Sequence, residues 1–244
     1  MGIVIAVASG KGGTGKTSVT GGVAAALAMA GQRVLCIDMD IGLRNLDISL
    51  GLSDRALMDF ADVALGRCTL SRAAVRHPDL KELSLLTAPM SLPPSLSPYR
   101  VRSMLSAART LYDYILIDAP AGLGPGFQYA VCGADRALVV ATNDASSLRD
   151  AQRVVAELDW LPQLHLVMNR IQPKLLRKLR TTIDDAMNTA GLPLIGVIPE
   201  DAQVMLCANR GIPLTSQGRK GAAMACRNIA WRLMGRRVPI MRIR

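Results

Sequence analysis

Eight residues near the N-terminus have the types and the spacing of a phosphate-binding loop. Residues 10–17 read Gly-Lys-Gly-Gly-Thr-Gly-Lys-Thr, which satisfies the pattern G-x-x-x-x-G-K-[ST]. Glycines allow the main chain to wrap closely round an anion, and the N–H groups of the helix that follows point at it. In such a loop Lys16 reaches the β- and γ-phosphates of a nucleotide, and the Thr17 hydroxyl holds Mg²⁺. The residues predicted to bind ATP here are Gly10, Lys11, Gly12, Gly13, Thr14, Gly15, Lys16, Thr17 and Ser18.

Two predicted strands end in carboxylates. Residues 34–37 lead into Asp38 and Asp40, and residues 114–117 lead into Asp118. A magnesium nucleotide binds at the carboxyl edge of a parallel sheet, so these acids are candidates for the reaction itself. We expect Asp118 to hold Mg²⁺ through water, Asp40 to position the attacking water, and Asp38 to support the metal shell. The alternative is that an aspartate at a strand end only forms a turn.

Short apolar runs alternate with helical patterns along the chain. The predicted strands cover residues 3–7, 34–37, 83–87, 114–117, 137–141, 164–168 and 194–198. A first helix is predicted from about residue 15 to residue 30, with Val19, Val23 and Leu27 on one face. This alternation implies right-handed crossovers and the α/β class: a doubly wound, mostly parallel sheet flanked by helices, the P-loop NTPase fold. Because no linker interrupts the 244 residues, we expect one domain over 1–244.

Composition limits the remaining function classes. Half of the residues are apolar and the five cysteines form no C-x-x-C pair, which favours a packed protein in a reducing cytosol. No apolar stretch reaches the ~18 residues of a membrane-spanning helix, so we expect a cytoplasmic protein. The net charge is +10, and residues 210–244 contain nine basic residues and no acidic one. We expect a basic C-terminal tail, about residues 219–244, which favours an anionic membrane or nucleic acid; the alternative is a solvated face.

The loop also contains an early lysine. The run Lys-Gly-Gly-x-Gly-Lys-Thr from Lys11 resembles the deviant Walker A family. Residues 38–47, Asp-Met-Asp-Ile-Gly-Leu-Arg-Asn-Leu-Asp, resemble switch I of the septum site-determining MinD ATPases of that family. Four further segments fit the same family: 118–122, 146–150, 197–201 and 209–211. The resemblance implies an ATP-bound homodimer in which Lys11 contacts the phosphate of the partner subunit, where an added cation stabilises charge that develops in the transition state.

The same resemblance implies roles for residues outside the loop. It places Asn45 in switch I, near the γ-phosphate. It places the adenine base beside Asn169, Arg170, Pro199, Glu200 and Asp201. An asparagine has the donor and the acceptor to pair with adenine, although an asparagine at a strand end also commonly forms a turn. Finally, it implies a surface at Ser147 and Asp150 for MinC-like and MinE-like division proteins.

The chain departs from the family pattern near its C-terminus. MinD proteins usually end in an amphipathic helix that inserts into the membrane, whereas residues 231–244 stop about where that helix would begin. Pro239 would also break a helix through this segment. We therefore expect any membrane contact to be peripheral and electrostatic, at about 1 kcal/mol per well-placed basic side chain.

The resemblance implies an ATP-hydrolysing dimerisation switch that positions the division site. The alternatives are a ParA-like DNA-partitioning ATPase, with DNA binding less favoured, and a flagellar-number regulator of the same fold.

Overall fold

A single eight-stranded sheet lies at the centre of the computed structural model, which describes residues 1–241. The strands are β1 Ile3–Ala8, β2 Val34–Asp38, β3 Val75–Arg76, β4 Leu83–Leu86, β5 Tyr114–Asp118, β6 Arg136–Ala141, β7 Gln163–Ile171 and β8 Leu194–Pro199. Their order is β3-β4-β2-β5-β1-β6-β7-β8, and the neighbours are parallel except for β3 and β4. Strands β2 to β5 lie on one side of β1, and strands β6 to β8 lie on the other side. The carboxyl ends of the strands near β1 therefore form the crevice where such sheets bind ligands.

Helices cover both faces of this sheet. They are α1 Lys16–Met29, α2 Leu46–Leu50, α3 Phe60–Ala64, α4 Leu70–Ala73, α5 Pro98–Leu111, α6 Pro125–Val131, α7 Ala145–Glu157, α8 Pro173–Leu179, α9 Ile183–Ala190, α10 Ala202–Asn209 and α11 Gly221–Leu233. A short 3-10 turn covers Leu214–Ser216. Within residues 1–241, no helix combines the length and the apolar character needed to cross a bilayer.

The central strands are apolar at successive positions because both of their faces are covered. In β1, Val4 and Ala6 belong to one core cluster, whereas Ile5 and Val7 belong to the other. The first cluster packs under α3, α5, α6 and α7, and the second packs under α1, α10 and α11. Burying one valine or isoleucine side chain contributes about 1.5–3 kcal/mol relative to leaving it exposed. The two clusters thus fix the sheet that presents the carboxyl edge.

The first helix begins and ends at glycines with left-handed backbone. Gly15 precedes it with a φ of 86°, and Gly31 follows it with a φ of 85°. Val19, Val23 and Leu27 are buried against the sheet, as the sequence predicts. Because β1 and this helix are both locked into the core, the loop between them is held at both ends.

The predicted α/β fold is confirmed, with two differences in detail. The strand Val75–Arg76 was missed, because two residues on an antiparallel edge are too few to give a periodic signal. The basic segment predicted as a tail from about residue 219 contains α11, which is buried against the sheet through Ala222 and Ile229. Residues 221–233 of the predicted tail are therefore part of the folded domain, and residues 242–244 lie outside the described residues. The single domain over 1–244 stays a prediction.

Candidate nucleotide site

The phosphate-binding loop connects β1 to α1. In this loop Gly13 and Gly15 adopt φ values of 80° and 86°, a region that favours glycine. A side chain on Gly15 would overlap the Asn169 amide, and one on Gly10 would overlap the main-chain carbonyl of Asp150. The space beside Gly13 is open. The loop is therefore a narrow cradle that an anion would fill, in front of the N-terminus of a 14-residue helix.

Lys16, Thr17 and Asp118 meet beneath the loop. Lys16 is 7% exposed and Asp118 is 1% exposed. Thr17 Oγ1 donates to Asp118 Oδ2 at 2.6 Å, and Thr20 Oγ1 donates to Asp118 Oδ1 at 3.1 Å. Burial lowers the pKa of Lys16 and raises the pKa of Asp118 to about 7, because both groups lose hydration of their charged forms. The Thr17 hydroxyl and the Asp118 carboxylate offer oxygens that fit Mg²⁺, a hard cation that takes oxygen ligands. A cation at this point would favour the ionised form of Asp118.

Asp38 lies beside Asp118, at paired positions of β2 and β5. Its carboxylate accepts hydrogen bonds from the main-chain N–H groups of Asp40 at 2.9 Å and Leu46 at 3.1 Å. Burial raises the pKa of Asp38 to about 6, although these two bonds oppose the rise. Asp38 therefore holds both ends of the segment 40–46. The turn-forming alternative that the sequence leaves open for strand-end aspartates is present at this position.

Asp40 and Asn45 lie on the segment that Asp38 holds. Burial raises the pKa of Asp40, whereas the charge of Lys16 lowers it, so the Asp40 carboxylate lies within electrostatic reach of Lys16. Asn45 is exposed and precedes α2 without a capping bond from its side chain. Arg44 has a left-handed φ of 47°, and its Nε donates to the Ala88 carbonyl at 2.6 Å. This anchor outside the segment holds a backbone conformation that is unfavourable by itself.

A cavity of about 420 Å³ opens beside the loop. Its lining includes the residues predicted to surround adenine: Asn169, Arg170, Pro199, Glu200 and Asp201. Its other walls come from the start of α1 and from α10, with Val19, Val204, Met205 and Ala208 among them. A cavity of this size with mostly apolar walls, next to a phosphate cradle, has the form of a nucleoside site.

Asn169 and Arg170 join the end of β7 to the loop. Asn169 is 6% exposed, and its Nδ2 donates to the Thr14 carbonyl at 2.8 Å. Arg170 has a φ of 57°, pairs through Nε with Glu200 at 2.8 Å, and donates to the Gly13 carbonyl at 3.3 Å. Their observed role is to hold the loop. Contact of either side chain with adenine stays a prediction.

Lys11 lies at the mouth of the loop and contacts its own chain. Its Nζ donates to Asp144 Oδ1 and to Ser146 Oγ, both at 2.8 Å, at the N-terminus of α7. Burial alone would raise the pKa of Asp144, but hydrogen bonds from Lys11 and Thr142 hold it well below its usual range. Because the Lys11 and Asp144 side chains are 34% and 50% exposed, the pair is a weak, surface-type ion pair. Contact of Lys11 with a second subunit stays a prediction, and it would require Lys11 to leave this pair.

The two residues predicted to face partner proteins differ in exposure. Ser147 is 2% exposed, and its hydroxyl accepts a hydrogen bond from the Thr142 N–H at 3.0 Å. It closes the turn that begins α7, so its side chain points inward, which corrects the prediction that it lies on a partner surface. Asp150 is half-buried, 3.5 Å from Arg153. A partner role for Asp150 stays a prediction.

Sequence reasoning missed three contributors to the site. Thr20 lies three residues after Thr17, so helical spacing could have found its contact with Asp118. Asp144 follows the end of β6, and the carboxyl-edge rule used for the other acids would have pointed to it. The α10 wall carries no polar motif that a sequence pattern could detect.

The chain is similar to known proteins over most of its length. The CobQ/CobB/MinD/ParA nucleotide binding domain matches residues 5–214. The septum site-determining protein MinD of Bacillus subtilis (strain 168) is 37% identical, over 98% of this chain and 92% of the relative. That of Helicobacter pylori is 40% identical, over 98% of this chain and 92% of the relative.

Solved structures give the same result. The MinC:MinD cell division protein complex of Aquifex aeolicus contains a chain that is 37% identical, with a TM-score of 0.91 over 98% of both chains. MinD from Pyrococcus horikoshii, solved with Mg-ADP, is 29% identical with a TM-score of 0.83 over 96% of both chains. The sequence motif, the sheet order and these likenesses over nearly the full length agree, and the chain belongs to the CobQ/CobB/MinD/ParA nucleotide-binding family, within its MinD group.

Proposed function

We propose that this chain is a magnesium-dependent ATPase whose ATP-bound homodimer positions the cell-division site. The observation that supports this best is the meeting, at one sheet edge, of a phosphate cradle, the buried Lys16 and three strand-end carboxylates: Asp38, Asp40 and Asp118. The division role is supported by relatives that are named septum site-determining proteins. This edge is where we propose that phosphate, base and metal bind.

ATP binding divides the nucleotide between two features. The glycine loop and the ammonium group of Lys16 take the phosphates, and the 420 Å³ cavity takes the nucleoside. Thr17 and Asp118 would hold Mg²⁺, which would neutralise part of the phosphate charge. Because Lys16 is buried with its pKa lowered, phosphate charge at the cradle would stabilise its protonated form.

Hydrolysis needs a positioned water and positive charge at the γ-phosphate. Asp40 lies where the charge of Lys16 reaches it, and its carboxylate orients the attacking water. Asp38 fixes Asp40 by accepting a hydrogen bond from its main-chain N–H. Asn45, on the same segment, would lie near the γ-phosphate. Lys11 of a second copy adds a cation where negative charge develops, so the reaction is fast only in the dimer.

The dimer is also the form that recruits partners. One solved relative is a MinC:MinD complex, so a MinC-like protein is the partner class we propose, with a MinE-like protein as the stimulator of hydrolysis. In the monomer Lys11 lies at the N-terminus of α7, where it contacts the capping residue Asp144 and the helix residue Ser146 directly. Its departure on dimerisation would change the surface of α7 that includes Asp150. ATP thereby acts as a switch, because it binds the dimeric state better.

Membrane contact, if the basic segment makes it, is peripheral. Arg219 and Lys220 precede α11, Arg236 and Arg237 follow it, and all four are exposed. They would attract an anionic bilayer by charge alone, at about 1 kcal/mol each. Sedimentation with anionic and neutral vesicles at low and high salt tests this. Binding that is equal on neutral vesicles, or absent on both, contradicts it.

One experiment separates the division role from DNA partitioning. The protein is sedimented with anionic vesicles and, in parallel, mixed with double-stranded DNA, each with Mg-ATP and with Mg-ADP. We expect ATP-dependent recovery with vesicles and no ATP-dependent DNA retardation. DNA retardation that requires ATP would replace the division role with the partitioning role. A protein that neither binds nor hydrolyses ATP would overturn the proposal itself.

A further inference from the structure

The helix α10 touches both the nucleoside cavity and the helix that follows the catalytic segment. Val204, Met205 and Ala208 of α10 line the cavity. Two residues after α10 the chain reaches Gly211, whose N–H donates to the Ala208 carbonyl at 3.0 Å, and α10 packs against α2. A ligand that presses on the cavity wall therefore presses on an element in contact with α2.

Next to the packing of α10 against α2, the main chains that follow the two helices approach each other closely. Gly51 ends α2 with a φ of 68°, and Gly211 follows α10 with a φ of 61°. A β-carbon on Gly51 would overlap the Gly211 carbonyl oxygen, so Gly51 cannot gain a side chain unless these two main-chain segments move apart. Main-chain atoms cannot rotate away as a side chain can. The end of α2 is thus held close to the chain that follows α10.

Hydrogen bonds of Asp38 connect α2 to Asp40, the residue proposed to orient the attacking water. The N–H of Leu46, the first residue of α2, donates to Asp38 Oδ2 at 3.1 Å. The other oxygen of the same carboxylate accepts from the Asp40 N–H at 2.9 Å. A shift of α2 would therefore move or break the hydrogen bonds that orient Asp40.

We infer that Gly51 is a positioning residue for hydrolysis: its contact with Gly211 sets α2, and through Asp38 it sets Asp40, relative to the wall of the nucleoside cavity. This inference rests on the proposed function, in which the cavity holds the base and Asp40 orients water. Gly51 touches neither the wall of the nucleoside cavity nor Asp40. It transmits the presence of a base to the water-positioning carboxylate within a single subunit.

The first test uses the unmodified protein and adenosine, which has a base and no phosphate. Amide NMR spectra are recorded during a titration with adenosine. We expect shifts at Val204 and Met205, which line the cavity, and further shifts at Gly51 and Leu46. Shifts at the cavity alone would overturn the inference and leave the proposed function standing. No shift at the cavity would overturn the placement of the base and the inference together.

The second test uses glycine-to-alanine variants at positions with similar positive φ angles, so that the backbone strain of each substitution is similar. Gly51→Ala and Gly191→Ala each put an alanine at a helix C-terminus, with φ of 68° and 69°, but a β-carbon on Gly191 meets nothing within 4 Å. Gly211→Ala has a similar φ, and its β-carbon would lie at an ordinary 3.5 Å from Gly51 Cα. Melting temperatures check that all three variants fold.

We expect Gly51→Ala to lower kcat for ATP at least about tenfold while the Kd for ATP changes less than about threefold, since only a transition-state interaction is lost. Gly211→Ala should change kcat only slightly, and Gly191→Ala should match the wild type. Equal kcat values for Gly51→Ala and Gly191→Ala would refute the positioning role. A wild type without turnover would refute the proposed function instead.

Discussion

Replacing Asp144 with asparagine removes the charge that holds Lys11 on its own chain and leaves the helix cap in place. Asp144 caps α7 by accepting a hydrogen bond from the Ser147 N–H at 2.9 Å, and the side-chain oxygen of asparagine can accept the same bond. The Lys11–Asp144 pair is 2.8 Å long but largely exposed, so it is worth about 1 kcal/mol at most. If Lys11 must leave this pair to enter a dimer, Asp144→Asn should favour the dimer.

Two subunits would together recover about 2 kcal/mol at most, which corresponds to a dimer dissociation constant up to about thirtyfold lower. The assay is light scattering of a dilution series with Mg²⁺ and a non-hydrolysable ATP analogue. Asp113→Asn is the matched control, because it removes the charge of an exposed Arg33 pair at the opposite edge of the sheet. An unchanged or weaker dimer for Asp144→Asn would refute the reasoning that the pair restrains Lys11.

Three other predictions address binding, turnover and stability. Lys16→Ala should abolish measurable ATP binding in calorimetry, because it removes the buried cation beneath the phosphates; retained affinity would contradict this. Asp40→Ala should slow phosphate release in an ATPase assay and prolong the ATP-bound dimer in light scattering; turnover at the wild-type rate would remove Asp40 from the mechanism. Leu27→Ala, at a fully buried position of α1, should lower the free energy of urea unfolding by about 2–5 kcal/mol, and a loss below 1 kcal/mol, roughly, would contradict its core position.

Much of the fold could be predicted because the strongest signals are local. The loop motif, the apolar strands and the helical period of α1 each depend on neighbouring residues, and each predicted strand is present. The carboxylates Asp38 and Asp118 could be paired in advance, because both end parallel strands and must therefore reach one edge. The short strand at Val75 could not be found, since its pairing depends on a partner strand rather than on its own pattern.

The details of the site depend on contacts that no local pattern encodes. Ser147 lies in a polar run and looks exposed, yet its hydroxyl closes a turn and is buried. The family resemblance implies a contact of Lys11 with a second subunit, whereas its partner in its own chain is Asp144, 133 residues away in the sequence. The Gly51–Gly211 contact joins two glycines that no sequence pattern relates to each other, and their left-handed backbone is seen only in the structure. Long-range packing of this kind becomes visible only when the chain is folded.

The account depends on each subunit completing the site of its neighbour, and mixing two inactive variants tests this directly. Lys11→Ala keeps Asp40 but lends no lysine, and Asp40→Ala lends its lysine but has no water-positioning carboxylate. A mixed dimer therefore contains one complete site, and equal mixing should restore up to about a quarter of wild-type ATP turnover. Turnover no greater than the sum of the separate variants, in a mixture shown by cross-linking to contain mixed dimers, would contradict the account.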